Sequence, residues 1–156
     1  MVTIRPARAG DGEELVTVHV AAIRELGSTA YDDEQIDAWA AGKDPEAYPT
    51  GNPDATFVVA ERDGRVVGFG HLQRDEREVQ AVYVRPDHAG RGIGRALLRH
   101  LEATAREAGL DWLTLVASKN AVGFYERCGW DRLETVDHES TGGVVLECVR
   151  MERRLA

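Results

Sequence analysis

The chain has 156 residues, with 27 acidic and 19 basic side chains and a formal net charge of -8. That length suits one domain, residues 1–156, able to bury roughly two-thirds of its unfolded surface, and the acidic balance argues against a nucleic-acid or anionic-membrane partner. No run approaches the ~18 apolar residues of a membrane span, the start lacks the apolar region of a signal peptide, and Cys128 and Cys148 have no CxxC or paired His spacing; the expectation is a cytoplasmic protein with reduced thiols and no metal.

In chain order, residues 3–5 predict a short strand ended by Pro6, and Asp11 is placed to cap a helix running to residue 26 and stopped by Gly27. Leu15, Val18, Ala22 and Leu26 form its apolar stripe. A second helix is predicted from Asp32 and Asp33 to Gly42, followed by a loop rich in Pro, Gly and Asn over residues 48–54. Residues 56–61 and 65–73 read as a β-hairpin through Asp63-Gly64, a pair that accepts positive φ, and residues 78–84 add a third strand. Arg85-Pro86-Asp87 ends it, because proline cannot donate to a ladder and drives its predecessor away from helical angles.

Glycines then stand at 90, 92 and 94, before Ile93, Leu97, Leu101 and Ala105 recur at helical spacing as far as the stop at Gly109, with Arg95, Arg99, Glu102 and Arg106 on other faces. Residues 111–117 predict a strand parallel to 78–84, since a helix separates the two. Ser118-Lys119-Asn120 is placed to cap a short helix over 121–128, closed by Gly129, and residues 130–136 and 144–154 form a last hairpin across Gly142-Gly143.

The stretch from Val82 to Leu98 is thus a strand, a glycine turn and a helix start, where bare backbone N–H groups converge on an anion; Arg85, Arg91, Arg95 and Arg99 cluster around it, and the implied ligand carries phosphate. A dinucleotide fingerprint counted from Gly90 needs glycine at 95, where Arg stands, and a nucleotide-cradling loop needs Gly-Lys-Ser/Thr, whereas this stretch has no lysine.

What the stretch resembles is the coenzyme A signature of the GCN5-related N-acetyltransferases, Arg/Gln-x-x-Gly-x-Gly/Ala after a strand ending in aromatic-Val-x-Pro. Ala89 departs from the usual Arg or Gln, at a cost of a supporting contact. Asn120 through Trp130 resembles the family's second signature, Asn-x-x-x-x-Phe-Tyr-x-x-x-Gly-Phe, with one residue fewer between the Asn and the Phe-Tyr pair, and the order of elements matches along nearly the whole chain. The resemblance implies a mixed α/β fold: a central, mostly antiparallel sheet with a splayed parallel pair, in the order β-α-α-β-β-β-α-β-α-β-β.

It further implies that acetyl-coenzyme A lies along the backbone of Val82, Tyr83 and Val84, its pyrophosphate on Ala89, Gly90, Arg91, Gly92, Ile93, Gly94 and Arg95, with Asn120 meeting the pantetheine arm. Tyr125 matches the residue that protonates the leaving thiolate, and Glu78 the carboxylate that takes the amine proton through water, with Glu61 and Glu76 as rivals. His19, Arg24, Tyr31, Trp39 and Trp130 are candidates for the acceptor pocket, and the final strands for a homodimer contact. The implied reaction is acetyl transfer to a primary amine of a small molecule or protein by direct attack in a ternary complex, which needs neither a covalent Cys128 intermediate nor a metal. The alternatives are a non-catalytic acyl-coenzyme A-binding module of the same fold and a nucleotide-binding domain.

Overall fold

The computed structural model describes residues 2–140 and 142–155. Its strands are β1 (Thr3–Pro6), β2 (Ala55–Arg62), β3 (Arg65–Gln73), β4 (Glu78–Val84), β5 (Trp112–Ser118), β6 (Asp131–Glu139) and β7 (Val145–Arg154), in one sheet of order β1-β2-β3-β4-β5-β7-β6. The helices are α1 (Gly12–Leu26), α2 (Asp33–Ala40), α3 (Ile93–Glu107) and α4 (Val122–Arg127). All strand pairs are antiparallel except β4 with β5, as the intervening helix requires. No helix among the described residues is long and apolar enough to cross a membrane.

Both faces of the sheet are covered, and β2 carries the pattern for it: Val58 and Ala60 pack into the core under α3, whereas Phe57 and Val59 pack with Leu15 and Val18 of α1. A third cluster joins Ile23, Ile36 and Ala40 of the first two helices to Leu146 and Cys148 of β7. α3 lies close on the sheet because β3 places two glycines beneath it; a Cβ at Gly68 would stand 3.1 Å from Leu97 Cδ1, and one at Gly70 3.2 Å from Leu101 Cδ1.

Two irregularities of the sheet, a bulge and a short seam, set the geometry around β4. Ala81 pairs with His71 and Val79 with Leu72, so Gln80 is an extra residue in β4. The bulge resets the alternation: Val79, Val82 and Val84 turn to the α3 side while Ala81 and Tyr83 turn to the α1 side. The parallel pair, in turn, is joined at only two positions, Glu78 with Thr114 and Val79 with Leu115, beyond which β4 and β5 part.

Several local expectations are corrected. Asp11 makes no side-chain cap to α1; its carboxylate accepts two 2.9 Å bonds from the Arg5 guanidinium and one of 2.7 Å from the Arg8 N–H. α1 does end at Leu26 as expected, but Gly27 keeps a right-handed φ of -70°, and its role is close approach, since a Cβ there would lie 2.8 Å from Ile36 Cδ1. The second helix ends at Ala40, with Asp32 and Gln35 forming its capping box. Neither Ser118 nor Asn120 caps α4, which follows a 3-10 turn over Lys119–Ala121. Glu102, expected on a face other than the apolar stripe, is 0% exposed: it accepts from Arg99 Nη1 at 2.7 Å and Trp130 Nε1 at 2.9 Å, with Arg153 Nε 3.5 Å away. Arg99, which also donates to the Cys128 carbonyl, is therefore turned away from the glycine turn.

Candidate active site

β4 ends as Arg85 N–H donates to the Val67 carbonyl at 2.8 Å, and the chain turns through Pro86–His88 into the glycines. Gly90 and Gly92 have φ of +77° and +81°, left-handed angles that cost an L side chain about 1–2 kcal/mol. α3 starts at Ile93 with no side-chain cap, and its first internal bond runs from Ala96 N–H to the Gly92 carbonyl. The N–H groups of Ile93, Gly94 and Arg95 consequently have no partner within the helix and sit at the positive end of its dipole. That is a receptor for an anion on an uncovered backbone.

From this turn a cleft of about 740 Å³ runs into the gap between β4 and β5. One wall is β4 from Glu78 to Val84; the other is Val116, Ala117 and Ser118, with Asn120, Phe124 and Tyr125 beyond them. The two strands do not pair along this stretch, so backbone groups that would form a ladder face the cleft instead. Asn120 Oδ1 is buried with no hydrogen-bond partner, an acceptor for which a bound molecule would supply the donor. The anion receptor, the free edges and this orphaned oxygen fit a long molecule with a phosphate end and an amide-bearing arm, as coenzyme A has.

Of the residues expected at the site, Glu78, Val82, Tyr83, Val84, Ala89, Gly90, Gly92, Ile93, Gly94, Arg95, Asn120, Tyr125 and Trp39 line this cleft; Arg91, exposed at the turn, does not. Burial, then the neighbouring Glu76 charge, push the Glu78 carboxyl above its ordinary value of 4.5, while Gln80 Nε2 donates to its Oε1 at 2.8 Å. Glu61 is held by Arg5 at 3.0 Å on β2 and does not line the cleft. Tyr125 is packed edge-on against Phe124 and Trp130, and burial raises its phenol well above 10.0, so it stays protonated through the working range of pH. Cys148 also lines the cleft; burial pushes its thiol up as well, leaving it a poor nucleophile.

The acceptor candidates separate. Tyr31 lines neither this cleft nor its neighbour: its hydroxyl donates to the Glu147 carbonyl at 2.6 Å and accepts from the Lys119 N–H at 2.9 Å, tying the α1–α2 segment to β7. Trp130 is core, bonded to Glu102, and Arg24 pairs with Asp37 at the surface, 2.8 Å away. His19 and Trp39 line a second cavity of about 460 Å³, which shares Trp39, Gln80, Ala81, Tyr83 and His138 with the cleft. Sequence reasoning missed His138, Leu146 and Cys148, which alternate positions on the last hairpin bring to the cleft, and Phe124, whose ring a Gly94 Cβ would meet at 3.3 Å. For Phe124 the signal was present in the second signature; for His138 no spacing points to it.

Residues 20–130 match the model of the acetyltransferase (GNAT) family. The chain belongs to that family. Over 100 residues it is 40% identical to a mycothiol acetyltransferase of Streptomyces avermitilis, an alignment that covers 59% of this chain and 32% of that protein, so the chain spans about a third of that relative's length. Among solved structures, a GCN5-related N-acetyltransferase from Rhodopseudomonas palustris, also described as an aminotransferase of class II, superposes with a TM-score of 0.89 at 29% identity, covering 97% of this chain and 94% of that one. The fold is shared with the PaiA N-acetyltransferase of Thermoplasma acidophilum, solved in complex with coenzyme A, at a TM-score of 0.75 and 22% identity over 99% of each chain.

Proposed function

We propose that the chain moves an acetyl group from acetyl-coenzyme A to a primary amine by direct attack within a ternary complex. The observation that carries this reading is the unpaired edge of β4 beyond Val79, leading straight from the glycine turn to Glu78 and Tyr125. In the reaction the amine nitrogen attacks the thioester carbonyl carbon, the C–N bond forms, the C–S bond breaks, and the sulfur leaves with the electron pair.

Each residue is assigned the part its surroundings favour. The uncapped amides of Ile93, Gly94 and Arg95 bind the pyrophosphate, and the edge of β4 takes the pantetheine arm as an added strand. A free amine of pKa ~10.4 is mostly protonated at neutral pH, and deprotonating it costs about 4 to 5 kcal/mol, which gives a base a purpose. Glu78, whose carboxyl burial raises above its ordinary 4.5 and so makes a better base, takes that proton through water. Tyr125, held protonated, delivers a proton to the departing thiolate.

Calorimetric titration with acetyl-coenzyme A, coenzyme A and ATP tests the binding half of the reading, and mass spectrometry of an amine panel tests the chemical half. Micromolar binding of the first two without ATP, together with acetylated product, is the expected result. Binding without product across the panel would leave an acyl-coenzyme A-binding module.

A further inference from the structure

The second cavity has a character that the cleft lacks. Its floor is a run of rings from three adjacent strands: Phe57 and Phe69 are stacked with centroids 5.6 Å apart, and Tyr83 lies 5.5 Å from Phe69. His19 and Tyr48 close the side, the Nδ1 of the one 3.1 Å from the hydroxyl of the other. At about 460 Å³ the space suits a single-ring molecule, toward the lower end of the ~300–1,000 Å³ usual for small-molecule sites.

Its charge is equally specific. Lys43, half-buried in the segment after α2, lines the cavity, and among the described residues no carboxylate stands within ion-pair distance of it. It is near enough to His19 that its charge, after burial, helps push that imidazole down to about 3, and burial also keeps His71 below its usual value. Burial thus disfavours charge on these two imidazoles, and Glu139, exposed at the end of β6, is the carboxylate among the lining residues. A half-buried ammonium with no counter-ion is costly unless an anion joins it, and it repels any second cation among the rings. The aromatic box is for that reason not a cage for an ammonium ion, although rings alone would allow one.

Position supplies the orientation. Gln80, Tyr83 and His138 line both spaces, so the reacting amine belongs there, at the passage to the cleft, whereas Lys43 lines only the second cavity. We infer that the acceptor is a small single-ring amine carrying a carboxylate at the end opposite the amine, with the ring on Phe57, Phe69 and Tyr83 and the carboxylate on Lys43. This rests on the transferase reading above and names its substrate class, against the weak preference for a cationic acceptor that the chain's net charge of -8 suggests.

Three amines on one ring test it: 4-(aminomethyl)benzoate, benzylamine and 4-(aminomethyl)benzylamine, which are anionic, unsubstituted and cationic at the far end. Each is titrated calorimetrically into the protein saturated with coenzyme A and assayed with acetyl-coenzyme A, beside a peptide with a free N-terminus. The carboxylate is expected to bind at least about tenfold tighter than benzylamine, the scale of one charge-assisted hydrogen bond, and to be acetylated with the highest kcat/KM. Lys43→Met is expected to erase that difference while leaving benzylamine and coenzyme A binding unchanged. Equal or better use of the diamine or the peptide, no binding of the carboxylate, or a Lys43→Met loss shared equally by all ring amines would overturn the inference. Absence of coenzyme A binding would instead sink the transferase reading, so the two failures are separable.

Discussion

Tyr125 is 6% exposed, and its ring is part of the core under α3 as well as a wall of the cleft. Tyr125→Phe removes the hydroxyl and keeps the ring, so it should lower kcat by about 100-fold under chemistry-limited conditions with the KM for acetyl-coenzyme A nearly unchanged. A wild-type kcat would end its role as proton donor. For Glu78 the sign follows from its raised pKa: the rate should climb with pH as the carboxyl ionises, along a limb lying above the ordinary 4.5. Steady-state rates across pH should lose that limb in Glu78→Gln, along with most of the activity. Glu102 marks where the residue scale was not legible. Its place on α3, between Leu98, Leu101 and Ala105, is inside the buried stripe, while its charge argues for solvent. The partners that settle the matter, Trp130 and Arg153, come from the far end of the chain and leave no trace in local spacing.

At the scale of elements the sequence reads well where periodicity is long and punctuation strong. The hairpin at Asp63-Gly64, with φ of +53° and +77°, and the end of α3 at Gly109, φ +84°, fall where those residues predict them. The bulge at Gln80 is the counterexample: strict alternation would put Val79, Ala81 and Tyr83 on one face, and nothing in these side chains announces the extra residue. The glycine turn was legible because its left-handed angles at Gly90 and Gly92 are ones that glycine takes at no cost. Gly92→Glu brings both a strained left-handed angle and a carboxylate into the anion receptor. Coenzyme A binding should fall at least about 100-fold in titration calorimetry, with helical content by circular dichroism preserved.

Across the whole molecule, acid sensitivity should trace in part to His19. Its folded value of about 3 lies below the ordinary 6.5, so between these limits the unfolded chain binds the proton and the folded chain does not. Stability contributed by the neutral ring is complete above about pH 6.5 and falls as pH drops toward 3. Urea midpoints should decline between pH 7 and 5.5 in the wild type, and less steeply in His19→Phe. The cavity that holds this ring draws on α1, α2 and the segment after it, β2, β3, β4 and β6. Its separate residues were visible in the sequence as aromatics and a rare lysine; their convergence was not, because it depends on strand order and on the bulge.

The two-rung join between β4 and β5 makes the sheet a pair of stiff plates sharing a short seam, with α3 and its core as the strap across the back. Such a body is most compliant along the seam, and a molecule lodged there acts as a brace. Hydrogen–deuterium exchange should accordingly slow on coenzyme A addition in peptides spanning residues 80–84 and 116–118, the two lips of the seam, and stay unchanged in the interior of the β2–β3 hairpin. On the proposed transferase reading the protein would be tightened by its co-substrate and loosened at each release, its stiffness rising and falling once per turnover.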